Sequence, residues 1–67
     1  MYERIREFTH EMNERMVKIK LEAPNLLRKE FDLKVKDITD KLDKLKHYKQ
    51  KVLKREELPP SWEEEFV

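Results

Sequence analysis

The residues best spaced for chemistry in this chain are His10 and Glu14. The run H-E-M-N-E at positions 10–14 departs from the zinc-protease pattern H-E-x-x-H, because a glutamate stands where the second histidine is needed. An imidazole and a carboxylate four residues apart on a helix could share a metal ion, but no third ligand is indicated. We therefore interpret the two as an exposed surface pair and expect no metal site.

Catalysis is not expected elsewhere in the sequence either. The chain has 67 residues and contains neither cysteine nor glycine, so it offers no thiol nucleophile and no glycine-rich phosphate loop. Ser61 has no identifiable general base. We predict that the protein is not an enzyme and needs no cofactor.

A basic stretch with no acidic residue runs from position 44 to position 55. A helix of this composition could lie along phosphates, where neutralising the backbone would make binding dependent on salt. The other interpretation is a solvated helix end, where positively charged side chains interact favourably with the negative C-terminal end of the helix dipole. The candidate phosphate-binding residues are Lys44, Lys46, Lys49, Lys51, Lys54 and Arg55.

The segment that follows is acidic and carries two aromatic residues. Trp62 and Phe66 share one face at a spacing of four, and Ser61 with Glu64 forms a capping-box pattern that predicts a short helical turn. This tail could fold back on the basic helix, with its aromatic side chains covering Val52 and Leu53. Alternatively, it could bind a partner protein through the aromatic anchors and the C-terminal valine, that is through Trp62, Phe66 and Val67.

These segments need elements to position them, and the apolar spacing predicts a first helix over residues 2–22. Pro24 interrupts the pattern, because proline lacks the N–H and disfavours helical geometry at the residue before it. Asn25 could cap a second helix. A hairpin with its break at Pro24 is the favoured interpretation, and one long helix kinked there is the alternative.

A heptad pattern predicts a second, longer helix over residues 25–58, ended by Pro59 and Pro60. Lys49 occupies the one polar core position of that pattern. At 1.5 Å per residue the second helix would be ~50 Å long and the first ~30 Å, so the turns beyond Leu45 need another cover.

The sequence thus predicts an all-α fold: a helical hairpin over residues 1–58 with a coiled-coil-like seam, followed by an acidic Trp/Phe tail over residues 59–67. So short a chain rarely buries enough apolar surface alone, and we expect pairing of two copies into a dimeric helical bundle. The predicted self-association seam consists of Ile5, Phe8, Met12, Met16, Ile19, Phe31, Val35, Ile38, Leu42, Leu45 and Val52.

The function predicted from these features is that of a small protein-interaction module. It would act as a regulator, adaptor or assembly factor that pairs through the seam and engages a larger protein with its tail. The alternatives are a nucleic-acid-associated protein using residues 44–55 and an obligate subunit of a helical hetero-oligomer. No apolar run exceeds two residues, so no membrane segment is expected, and the chain is expected to be soluble and cytoplasmic.

Overall fold

The computed structural model describes residues 2–67, which form two helices packed against each other as a hairpin. Helix α1 spans Tyr2–Glu22 and helix α2 spans Arg28–Leu53. A 3₁₀ turn at Ala23–Asn25 connects them, and a second 3₁₀ turn at Trp62–Phe66 lies in the tail. Residues 2–67 contain no β-strand. The predicted all-α hairpin is therefore confirmed, and the alternative of one kinked helix is wrong.

The connection between the helices contains Pro24, which lies in a 3₁₀ turn and does not begin a second α-helix. Leu26 and Leu27 are extended, both with ψ of 146°, and this extended pair reverses the chain. Phe31 N–H donates to the Leu27 carbonyl at 3.0 Å, so α2 begins after Leu27. The predicted start at Asn25, with its side chain as the cap, is wrong because that residue belongs to the 3₁₀ turn.

The C-terminus of α2 is closed by a Schellman motif centred on Arg55. Glu56 N–H donates to the Lys51 carbonyl at 2.8 Å and Arg55 N–H to the Val52 carbonyl at 3.0 Å, the bond pair that defines this motif. Arg55 has a φ of 61°, the left-handed conformation that glycine usually supplies. Consequently α2 ends at Leu53, five residues before the predicted end at Leu58. The end of α2 therefore does not depend on Pro59 and Pro60.

The core runs along the contact between the two helices and continues into the tail. Both helices contribute residues spaced three, four or seven apart, which face each other across the hairpin. The tail adds two aromatic residues to the same cluster. The buried apolar residues are Ile5, Phe8, Met12, Ile19, Ile38, Leu45, Tyr48, Trp62 and Phe66.

Candidate interaction surfaces

The tail turn packs its two aromatic side chains onto the open end of the hairpin, the end away from the Ala23–Asn25 connection. The Phe8 ring lies 5.7 Å from the Trp62 ring and 5.5 Å from the Phe66 ring, measured between centroids. The Tyr48 ring lies 5.8 Å from Trp62 and 6.1 Å from Phe66, both edge-on. Because Phe8 belongs to α1 and Tyr48 to α2, the tail joins the two helices. Phe66 is 0% exposed, so it is part of the core.

Ion pairs on both helices hold the acidic side chains beside these aromatic rings. Arg4 of α1 donates from Nε to Glu63 Oε1 at 2.6 Å. Lys44 of α2 donates from Nζ to Glu65 Oε1, and the Tyr48 hydroxyl donates to Glu65 Oε2 at 2.9 Å. The tail is thus fixed by one cation from each helix, and we call these contacts, with the aromatic cluster, the tail dock.

The tail dock perturbs the pKa values of its titratable groups. The ammonium of Lys44 and then the hydroxyl of Tyr48, both donating to Glu65, lower the pKa of that carboxyl. Desolvation and then the hydrogen bond to Glu65 raise the pKa of Tyr48. The same carboxylate raises the pKa of Lys44, while Glu63 and then Glu7 raise that of Arg4. These directions favour a charged carboxylate facing a protonated phenol and ammonium.

The tail therefore takes the folded-back arrangement that was one of the two sequence interpretations. Two details differ from the prediction. The Ser61 side chain makes no capping bond, although Glu64 N–H donates to the Ser61 carbonyl at 3.1 Å. Leu53 remains 66% exposed, because the aromatic side chains contact Phe8 and Tyr48 instead. Of the predicted partner-binding residues, Trp62 and Phe66 are buried in their own chain, and Val67 is 88% exposed.

The predicted seam residues are all brought together, but to different depths. Ile5, Phe8, Met12, Ile19, Ile38 and Leu45 are buried, whereas Met16, Phe31, Val35, Leu42 and Val52 are only half-buried. Tyr48, which lies within the basic stretch at positions 44–55 and is not among the predicted seam residues, also joins the core. Lys49, placed in the core by the heptad, is exposed, and its Nζ lies 5.8 Å from the centroid of the Tyr2 ring.

The opposite side of the hairpin carries a groove between α1 and α2 that we call the tail-free groove. Its volume is about 590 Å³, and its apolar lining residues are Ile5, Leu42 and Leu45, of which Ile5 and Leu45 are fully buried and Leu42 is half-buried. Its lining contains cationic side chains and no carboxylate. The remaining lining residues are Arg6, Thr9, His10, Asn13, Lys46 and Lys49.

The candidate phosphate-binding residues do not share one face of α2. Lys44 pairs with Glu65 in the tail dock, whereas Lys46 and Lys49 line the tail-free groove. Lys51 and Lys54 border a shallow depression beside Lys44, together with the acidic Glu56. Arg55 lies beyond the helix end in the Schellman motif. Only part of the basic stretch could therefore meet one phosphate backbone at a time.

His10 Nε2 lies 2.9 Å from Glu14 Oε1, and both side chains are exposed. Within residues 2–67 no three His, Asp or Glu side chains converge in a way that could hold a metal ion. Among the helices that the structure describes, none combines the length and the apolar character needed to cross a bilayer.

Comparison of the chain with protein-family models, curated proteins and solved structures yields no match.

Proposed function

We propose that this protein is a small, non-enzymatic interaction module whose hairpin pairs with a second copy through its tail-free side. The observation that supports this proposal is the unequal covering of the seam. The tail closes one side, while apolar residues of the seam lie half-buried on the other. A coiled-coil-like pairing would cover that second side and complete a four-helix arrangement.

Three half-buried residues of α2 lie on one face. Phe31, Val35 and Leu42 are spaced by four and seven residues, so they project in nearly the same direction from the helix. Leu42 lines the tail-free groove, which places this stripe on the side away from the tail. Met16 of α1 is also half-buried. Burying such a stripe against another helix contributes about 25 cal/mol per Å² of apolar surface removed from water.

The pairing hypothesis is tested by sedimentation equilibrium over a concentration series, with circular dichroism on the same samples. We expect the wild-type chain to form a helical dimer and Val35→Asp to remain a helical monomer. Leu33→Asp is a matched control, because Leu33 is 67% exposed and lies on a different face of the same helix. It should dimerise like the wild type. A fully helical wild-type monomer at every concentration would contradict the proposal.

The two other candidate functions predict different results. An obligate subunit of a hetero-oligomer would be poorly helical alone and would gain helicity only with its partner. A nucleic-acid-binding protein would bind oligonucleotides with an affinity that falls steeply between ~50 and ~200 mM salt. The division of the lysines between two sides of α2 gives the nucleic-acid alternative less support than pairing.

A further inference from the structure

The tail is attached to the hairpin through side chains. Within residues 2–67, no backbone hydrogen bond joins the tail to α1 or α2. Its polar contacts run from two glutamates to side chains of both helices, and its apolar contacts are those of two aromatic rings. A dock of this kind recognises the tail by its side chains alone, so the tail of an identical chain fits it equally well.

The segment between α2 and the tail combines helix-forming residues with a conformation that is not helical. Residues 54–57, which we call the hinge, are Lys, Arg, Glu and Glu, all of high helix propensity. Arg55 nevertheless takes the left-handed φ of 61° at the point where the chain leaves α2. The hinge side chains are exposed and form no ion pair within residues 2–67. Helix propensity and the folded-back turn therefore conflict in the hinge.

A straight hinge would keep the backbone hydrogen bonds of the turn. In the folded-back form, Arg55 N–H donates to the Val52 carbonyl and Glu56 N–H to the Lys51 carbonyl. In a continued α-helix the same two donors would exchange these acceptors, since each N–H bonds the carbonyl four residues earlier. The N–H of the next residue would gain a bond of the same kind. Continuing α2 therefore costs no backbone hydrogen bond.

We propose that two copies of the chain exchange tails, so that the tail of each copy fills the tail dock of the other. In the exchanged form α2 continues through the hinge, and Pro59 ends it because proline disfavours helical geometry at Leu58. The tail then extends beyond the open end toward the second hairpin. Exchange uses the tail dock, so it goes beyond the pairing through the tail-free side and does not depend on it. Together the two contacts would join hairpin pairs into larger assemblies.

Exchange costs little because the contacts of the dock are kept. Each dock that releases its own tail receives an identical one, so Phe8 and Tyr48 are covered in both forms. The left-handed turn is removed from both chains, and short hinges under strain favour this kind of exchange. In dilute solution the tail returns to its own dock, since a short linker gives it an effective concentration on the order of 1 mM. Exchange is therefore expected in concentrated solution.

Charge reversal at one contact of the dock makes exchange measurable. Lys44→Glu places a like charge opposite Glu65 of the same chain, and Glu65→Lys does the same opposite Lys44. In an equimolar mixture of the two variants, exchange removes both repulsions, because each dock then receives a tail of opposite charge. The mixture should form dimers with a Kd at least ~10-fold lower than that of either variant alone. Sedimentation equilibrium on the three samples measures the difference.

Two checks show whether such a dimer arises by tail exchange. An equimolar mixture of Lys36→Glu and Glu64→Lys makes the same charge changes at exposed residues that form no ion pair within residues 2–67. This control should show no gain in affinity. In the first mixture, with one variant isotopically labelled, filtered NMR should show NOEs from the Phe8 ring of one chain to the Trp62 indole of the other. Those ring centroids lie 5.7 Å apart in the dock.

Hinge variants test the same proposal with the dock intact. Arg55→Val should raise the exchanged fraction at about 1 mM protein by ~5-fold, because a β-branched residue opposes a positive φ. Arg55→Gly should lower that fraction, since glycine folds back without a steric cost. Lys54→Val is the matched control, because it removes the same charge at a φ of −86° and should leave the fraction unchanged. Interchain NOEs measure the fraction in each sample.

Three outcomes would overturn the proposal. No gain in affinity in the mixture of Lys44→Glu and Glu65→Lys would show that the tail docks only in its own chain. A dimer without interchain NOEs, or an equal gain in the control mixture, would show attraction between charges elsewhere. Equal exchange by Arg55→Val and Lys54→Val would show that the hinge does not drive the process.

The pairing hypothesis is judged separately from tail exchange. All samples for the exchange experiments carry Val35→Asp, which removes pairing through the tail-free side and leaves the dock and the hinge unchanged. If the wild-type chain does not pair through Val35, the exchange experiments still give their result. If the tails do not exchange, the dimer of the wild-type chain and its loss in Val35→Asp are still observed.

Discussion

The tail side and the tail-free side of the hairpin are built from the same two helices and differ in what covers them. On the tail side, Phe8 and Tyr48 are buried because Trp62 and Phe66 pack on them. On the tail-free side, apolar residues of the same heptad pattern, such as Leu42, stay half-buried. Pairing of two helices is enough to bury the residues at the centre of their contact, which we call the midline. How deeply the residues on either side of the midline are buried depends on whether a third element packs on them.

The largest expected effect comes from removing the best-buried residue of the tail. Phe66→Ala should lower the free energy of unfolding by about 3–5 kcal/mol, because it leaves a cavity among three aromatic rings. Val67→Ala is the control, since that residue is 88% exposed and should cost less than about 0.5 kcal/mol. Urea unfolding followed by circular dichroism measures both. A loss below about 1 kcal/mol for Phe66→Ala would show that the tail contributes little to the fold.

The next effect compares the midline with the tail-free side on one helix. Met12 is 0% exposed, and Met12→Ala should cost about 3 kcal/mol. Met16 is half-buried, and Met16→Ala should cost about half of that in dilute solution, because less surface is removed from water. If the cost of Met16→Ala rises with protein concentration and that of Met12→Ala does not, pairing covers the tail-free side. Equal costs in dilute solution would contradict the difference in burial.

A smaller and opposite effect is expected at the junction between α2 and the tail. Arg55→Gly should stabilise the protein by about 0.5–1 kcal/mol, because glycine adopts a φ of 61° without the steric cost of a side chain. Lys54 has a φ of −86°, so Lys54→Gly should destabilise the protein by a similar amount. Thermal unfolding distinguishes the two variants. Destabilisation by Arg55→Gly would show that the left-handed turn is not a source of strain.

The smallest effect is a local dependence of the tail dock on pH. The pKa of Glu65 is lowered in the folded chain. Its contribution to stability is therefore complete above the unfolded pKa of about 4.3 and is lost as the pH falls through the folded pKa. The pKa of Tyr48 is raised, so its contribution is present below about pH 10 and is lost as the pH rises through the folded value. The emission wavelength of Trp62 should shift to the red at both limits.

Two substitutions identify the group responsible for the acid limb. Glu65→Gln should remove most of the dependence between about pH 5 and about pH 2, the range in which a carboxyl group of lowered pKa titrates. Glu64→Gln is the matched control, because this exposed neighbour makes no side-chain hydrogen bond in the part of the chain that the structure describes. An unchanged acid limb in Glu65→Gln would assign the transition to another carboxylate.

The sequence was sufficient to predict the helices and the midline of their contact. Spacing alone identified Ile5, Met12, Ile38 and Leu45, because an α-helix that packs on one partner must repeat its apolar residues every three or four positions. The presence of Pro24 indicated where the first helix ends. The half-buried seam residues were also identified, but the heptad pattern carries no information on how deeply each of them is covered.

The end of α2 and the tail dock were harder to predict, for two physical reasons. Helix termination was assigned to the proline pair, whereas an arginine adopts the left-handed conformation without a glycine to signal it. Tyr48 is absent from the predicted seam because its cover comes from Trp62 and Phe66, which lie more than a dozen residues further along the chain. The available signal was the matched order of charges, basic on the helix and acidic in the tail. That signal supported folding back without specifying the rings involved.

The tail dock is assembled from both helices and the tail, so it can form only after the two helices have met. Its walls are supplied by Phe8 and Tyr48, which are far apart along the chain until α1 and α2 meet. The pair Glu22 and Lys34, by contrast, is close in sequence and already near in the turn. Loop-closure entropy favours contacts between residues that are close in sequence. The helices should therefore pair first at the turn and then progressively toward the open end, and the tail should pack on them last. Unfolding then follows the reverse order, and a protease should find the tail accessible before either helix opens.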